Sequence, residues 1–191
     1  MRLPEAVHTE EFAYILDYLP TGISGQGMGK KEPVAYAVGD EEFKLFILVP
    51  KTNAIFGVGD RVYIGKDTPT QKRDVIDHVK SRIGYGELTN NALSELEYAI
   101  IEIVKLHEDR FIRFFNEAQA ISLRKHLLEE IPGLGKKSVE EILREREKAK
   151  FTGFADLTER AKIKVPEKLL ARRIIEEIES PDLKRYLFVS K

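Results

Sequence analysis

The sequence contains no cysteine and no tryptophan, and only two methionines. The first absence excludes disulfides, thiolate metal sites and cysteine nucleophiles. No apolar run approaches the roughly 18 residues that would span a bilayer. The N-terminus lacks a basic head followed by an apolar stretch, so no secretion signal is read and a cytoplasmic location is the default expectation. An excess of either charge is missing too: the net charge is −1, which taken alone argues against a strongly basic nucleic-acid binder. The four histidines (His8, His78, His107, His126) are scattered, and none has a spaced partner that would make a metal pair. No serine nucleophile motif occurs. The acidic pairs Glu129-Glu130 and Glu140-Glu141 read as solvated helical charges. No catalytic residue, metal or cofactor is therefore expected, and the chain is read as a non-enzyme.

What is present is a well-buried chain with a highly charged surface: 42% of the 191 residues are hydrophobic and 33% charged. The charge is unevenly spread. Residues 1–73 carry 9 Lys/Arg against 10 Asp/Glu, residues 74–118 carry 5 against 9, and residues 119–191 carry 17 against 13. An acidic middle thus precedes a basic C-terminal third, a distribution that a binding face and a solvated helical surface explain equally well.

The first part reads as strands. Phe12, Tyr14, Leu16 and Tyr18 alternate in a run ending at Leu19-Pro20; Pro33 to Val38 is a second run and Phe43 to Val49 a third, linked by a Gly-Asp-Glu-Glu turn; Arg61 to Gly65 is a fourth. Residues 75–85 fit a fifth strand or a short helix, with strand preferred. So many short strands favour a small barrel, OB-like or S1-like, because closure removes exposed edges. Its aromatics (Tyr14, Tyr36, Phe43, Phe46, Tyr63) either fill the barrel or stack on bases, with Tyr36 and Tyr63 open to both. Between the first two strands, Gly22 to Lys31 fails as a P-loop, since Ser24 stands where the first glycine belongs and Lys30 is followed by Lys31. It is read as a flexible loop whose Lys30 and Lys31 are candidates to touch a nucleic-acid backbone.

From Leu88 the apolar period becomes helical. Thr89 or Asn90 caps a helix carrying Leu93, Leu96, Ile100, Ile103 and Val104, and the pattern resumes through Phe111, Ile112, Phe114 and Phe115. Ser122 is expected to cap a further helix bearing Leu123, Leu127 and Leu128, ended by Pro132-Gly133. Helices over 136–150, 155–161 and 167–179 follow, and the apolar tail Tyr186 to Val189 is expected to dock. The expected architecture is α+β: a barrel over 1–88, a helical connector over 89–120 and a helical domain over 121–191.

The richest motif is Ile131-Pro132-Gly133-Leu134-Gly135-Lys136-Lys137-Ser138. Two glycines let a phosphate approach the main chain, Leu134 between them points inward, and the next helix opens with unpaired N–H groups that form an anion seat. Lys136 and Lys137 add full charges beside it. Nothing here reads a base edge, so contact is expected to be sequence-independent. The motif resembles the helix-hairpin-helix family, which implies phosphate contact through these residues; members of that family sometimes hold a monovalent cation on hairpin carbonyls, by position those of residues such as Ile131 and Leu134, but none is expected here. A second, glycine-free copy spans Phe154 to Ile178, where a structural role is favoured but Lys162, Lys164, Lys168, Arg172 and Arg173 are available to phosphates.

The chain as a whole resembles an archaeal family of unknown function, number 655 in domain catalogues, described as RNA-binding candidates. The resemblance is carried by Phe43-Lys44-Leu45-Phe46, Gly59-Asp60-Arg61-Val62-Tyr63-Ile64-Gly65, Arg82 to Thr89, Phe114-Phe115-Asn116-Glu117-Ala118 and the Pro-Gly-Leu-Gly hairpin. It favours RNA slightly over DNA as partner. Two alternatives stay open: a protein-docking module that uses the helical domain, and an enzyme with dispersed active-site residues.

Overall fold

The structure is a computed structural model and describes residues 10–25 and 31–190. Five strands form one antiparallel sheet: β1 (Phe12–Leu19), β2 (Val34–Gly39), β3 (Leu45–Pro50), β4 (Arg61–Tyr63) and β5 (Ile76–Ile83). Their spatial order is β4-β1-β2-β3-β5. Three consecutive strands with the fourth returning beside the first make a Greek key. The strands are those that alternation and turn residues indicate, and residues 76–83 resolve the strand-or-helix choice in favour of strand.

The expected closed barrel needs correction. The sheet curls into a half-barrel, and its end strands β4 and β5 do not pair with each other. β4 is only three residues long, and β5 exposes Asp77, His78, Lys80, Ser81 and Arg82. Short or charged edges resist further pairing without closure.

The sheet's core gathers Ala13, Ile15, Ala35, Ala37, Leu48, Val62, Ile64 and Ile76. A bulge between Ile15 and Asp17 interrupts the β1 alternation, so both Ile15 and Leu16 are fully buried. Asp17 is buried as well, and its carboxylate accepts the Thr89 hydroxyl at 2.6 Å. Thr89 in turn accepts the Ala92 N–H at 3.1 Å, making it the cap of the first helix. β3 starts later than expected because Phe43 adopts φ 59° in the preceding turn. That turn is organised by the buried Glu10 carboxylate, which accepts the N–H groups of Glu41, Glu42 and Lys44.

Five helices follow: α1 (Asn90–Leu106), α2 (Glu108–Glu117), α3 (Lys136–Lys148), α4 (Phe154–Ala161) and α5 (Pro166–Glu179). The chain divides into two compact units, one containing the residues up to 99 with those from 178 onward, the other residues 100–177. In the first unit the tail buries Phe188, and the Tyr186 hydroxyl donates to the Ser180 carbonyl at 2.5 Å. In the second, Phe111, Phe115, Leu128, Ile131, Ile142, Leu157, Leu170 and Ile174 are buried to 0% exposure. The Arg160 guanidinium closes the end of α3 by donating to the carbonyls of Glu145 (2.5 Å) and Ala149 (2.8 Å).

The helix expected from Ser122 does not form. Residues 120–126 make a tight loop instead, closed by a bridge between Ala120 and His126, and only Leu127–Glu130 winds into a single 3-10 turn. Local bonds outcompete the helix there. The Ser122 hydroxyl accepts the N–H groups of Arg124 and Lys125, and the Lys125 carbonyl accepts those of Ile121 and Ser122.

Candidate nucleic-acid interface

The hairpin is built from its buried residues outward. Ile131 is 0% exposed and its carbonyl accepts the Leu134 N–H at 3.1 Å, closing the turn. Leu134 is buried, as the sequence implied, and pins the bend to the core. Gly133 sits at φ +92°, where L side chains are strained, and a Cβ there would stand 3.0 Å from Leu169 Cδ2 of α5. Gly133 therefore serves the turn itself.

Gly135 is different. It is exposed and caps α3 with φ −83° and ψ 178°, an extended conformation open to any residue. A Cβ built on it would meet nothing within 4 Å. The first helical bond runs from the Val139 N–H to the Gly135 carbonyl at 3.0 Å. The preceding N–H groups, those of Gly135, Lys136, Lys137 and Ser138, meet no protein acceptor among the described residues. They form the positive end of a 13-residue helix whose first turn carries no carboxylate, beside the exposed Lys136 and Lys137. Such an arrangement can accept an oxyanion through main-chain amides, with two cations alongside.

The other sequence candidates separate into two groups. Lys164 and Arg172 are exposed, as is Lys168. Leu169, next to Lys168 in sequence, is the residue that abuts Gly133, so the second helix pair lies against the first turn. Arg173 is not available: it is 4% exposed and held by Glu177 (2.9 Å) and by the Glu130 carbonyl (3.3 Å). Lys162 donates to the Glu159 carbonyl at the end of α4. The second turn does without glycine by placing Lys162 (φ 59°) and Val165 (φ 47°) in left-handed conformations. Of the arginines near the end of α3, Arg146 donates to the Phe115 carbonyl at 3.1 Å and Arg144 pairs with Glu141. On the sheet, Lys31 is exposed and Lys30 lies outside the described residues. Tyr14, Tyr36 and Phe43 are buried, and Phe46 packs against the core. Tyr63 packs edge-on against Phe12 and donates its hydroxyl to the Lys66 carbonyl at 2.6 Å. The base-stacking alternative thus finds no support at these rings, Tyr36 and Tyr63 included. No metal-binding cluster occurs among the described residues, and no helix among them is long and apolar enough to cross a membrane.

One feature was hidden in the sequence. Ser122, Leu123, Arg124, Lys125, His126, Glu129, Lys136, Val139, Glu140 and Leu143 line an open groove of about 400 Å³ that joins the 120–126 loop to the start of α3. The helical spacing of Leu123, Leu127 and Leu128 masked it; Ser122, a residue able to fold the chain back on its own amides, was the available signal.

Residues 9–190 match the model of a family described as a protein of unknown function, DUF655. The chain belongs to that family. An uncharacterised DUF655 relative from Methanocaldococcus jannaschii, MJ0038, is 44% identical over 181 residues, covering 94% of this chain and 80% of the relative. The crystal structure of the DUF655 protein Af1531 from Archaeoglobus fulgidus superposes with a TM-score of 0.86 at 40% identity, over 95% of this chain and all of that one. The Archaeoglobus protein thus shares the fold described above, a curled antiparallel sheet with helices.

Proposed function

We propose that this chain binds a polynucleotide backbone without sequence preference, through the N–H groups of residues 135–138 and the lysines beside them, and that it is a binder, not a catalyst. The observation that carries the reading is Gly135. The fold does not demand glycine there: the backbone is ordinary, the space around its α-carbon is open, and the cap position, which favours glycine over alanine, is served as well or better by serine, aspartate or asparagine. A ligand that comes close to the main chain does demand it. In this reading residues 127–148 are a helix-hairpin-helix whose first helix is shortened to one 3-10 turn, α4 and α5 are its degenerate second copy, and Lys164 and Arg172 extend the contact. The Greek-key sheet is read as an opened OB-like barrel, which, with the family resemblance, favours RNA over DNA.

The test is salt-dependent binding to a labelled RNA homopolymer and to its DNA counterpart. Affinity is expected to fall as salt rises, because counterion release drives phosphate binding. Lys136→Gln with Lys137→Gln is expected to reduce the log–log slope by roughly one to two units. Binding that ignores salt, or a slope unchanged in the double variant, overturns the proposal.

A further inference from the structure

Leu123 is fully exposed, at 107% of its reference area, on a loop that is not slack. The Ala120–His126 bridge, two bonds to the Lys125 carbonyl, two to the Ser122 hydroxyl and one from the Leu127 N–H to the Gln119 carbonyl hold the tip in place. Lone exposed leucines are common on surfaces and signify little. This one is presented by a braced turn, followed by Arg124 and Lys125, and lines the same groove as Lys136, the first residue of α3 and a member of the amide seat. Lys125 is partly spent on Glu130, at 2.8 Å. The groove also holds two carboxylates: Glu129 accepts the His126 N–H at 2.6 Å, and Glu140 is exposed. A phosphate would avoid that wall, whereas base amino groups would donate to it.

We infer that Leu123 is a wedge that inserts between adjacent bases of the polynucleotide held at the hairpin, with the bases toward the groove and Arg124 and Lys125 against the flanking phosphates. The inference rests on the proposed hairpin contact and adds to it a means of unstacking. An apolar side chain on a rigid tip gains burial between base planes and offsets the lost stacking, as apolar wedges do elsewhere. The charges beside the tip match a polynucleotide rather than an apolar protein surface.

The experiment uses the full chain and an RNA oligomer carrying 2-aminopurine, whose fluorescence rises on unstacking. The wild type is expected to bind with a fluorescence rise. Leu123→Ala, at a fully exposed position, is expected to melt like the wild type, keep the salt slope, lose roughly tenfold in affinity and lose the rise. Gly135→Val is expected to lose binding outright. Salt-dependent binding of the wild type with no rise, or a rise that survives in Leu123→Ala, overturns the wedge and leaves the hairpin reading standing. No binding by the wild type overturns both. Self-association of the wild type that Leu123→Ala abolishes would assign the tip to a second copy of the chain, and overturns the wedge.

Discussion

Consider Gly133→Ala beside Gly135→Ala. At residue 133, φ is +92°, and the left-handed side of conformational space costs an L residue about 1–2 kcal/mol. The new methyl would also meet Leu169 Cδ2 at 3.0 Å, a contact that the end of a flexible side chain can relieve by a small shift. Restricting the unfolded chain returns about 0.4–1 kcal/mol. The net expectation is a loss of about 1 kcal/mol, or roughly 2–4 °C in Tm for a chain of this size. At residue 135 the φ of −83° and the open surroundings add no strain. The unfolded-state gain and the poorer cap that alanine makes nearly cancel, leaving stability within about 0.5 kcal/mol of wild type. Binding should show the opposite order of diagnostic value. Gly135→Ala places a methyl in the proposed phosphate seat of an otherwise unchanged protein and is expected to weaken RNA binding roughly tenfold or more, the equivalent of one charge-assisted hydrogen bond. Thermal melts and fluorescence anisotropy at low salt measure both quantities. A Gly135→Ala protein that binds like wild type would refute the reasoning, as would one destabilised as much as Gly133→Ala.

Three further expectations concern the second unit. Glu177→Ala removes the 2.9 Å partner of the buried Arg173 guanidinium, which keeps the Glu130 and Glu176 carboxylates at 3.4 and 3.6 Å, and urea unfolding is expected to show a loss of about 1.5–3 kcal/mol; an apolar double replacement, Arg173→Met with Glu177→Leu, should recover most of it, and equal losses in both would refute the account. Val165→Asn relieves a β-branched residue at φ 47° that is 49% exposed, and is expected to raise stability by about 1 kcal/mol; an unchanged or lower midpoint would count against backbone strain there. His126 accepts the Leu128 N–H at 3.1 Å, and burial, then the Arg146 charge, holds its pKa below the ordinary histidine value of 6.5. The folded chain thus resists a proton that the unfolded chain takes up. The stability contributed is full above pH 6.5 and lost as pH falls through the lower folded value. Melts across that range should show the decline in wild type and a flatter profile in His126→Gln.

Much of the fold was legible because local and tertiary signals agree. Alternating apolar residues and turn punctuation marked β1 to β5, and Leu134 between two glycines could only face inward. Closure was not legible, since it depends on whether a three-residue β4 and a polar-faced β5 can meet, and the pattern that marks strands says nothing of their ends. Residues 122–126 misled because apolar residues at helical spacing are indistinguishable from a loop whose serine captures its own amides. Arg173 looked like a solvent cation because one of its partners, Glu130, is 43 positions away in sequence; another partner, Glu177, four residues on, was the available signal. The two glycines of the hairpin looked alike in sequence, and only their φ values and surroundings separate the one the turn requires from the one it does not.

The most direct measurement is an NMR titration of the isotopically labelled protein with an RNA oligomer, following backbone amides at several salt concentrations. The largest shifts are expected at Gly135, Lys136, Lys137 and Ser138, reversed by added salt. Amides at 135–138 that stay put while the oligomer binds elsewhere would contradict it.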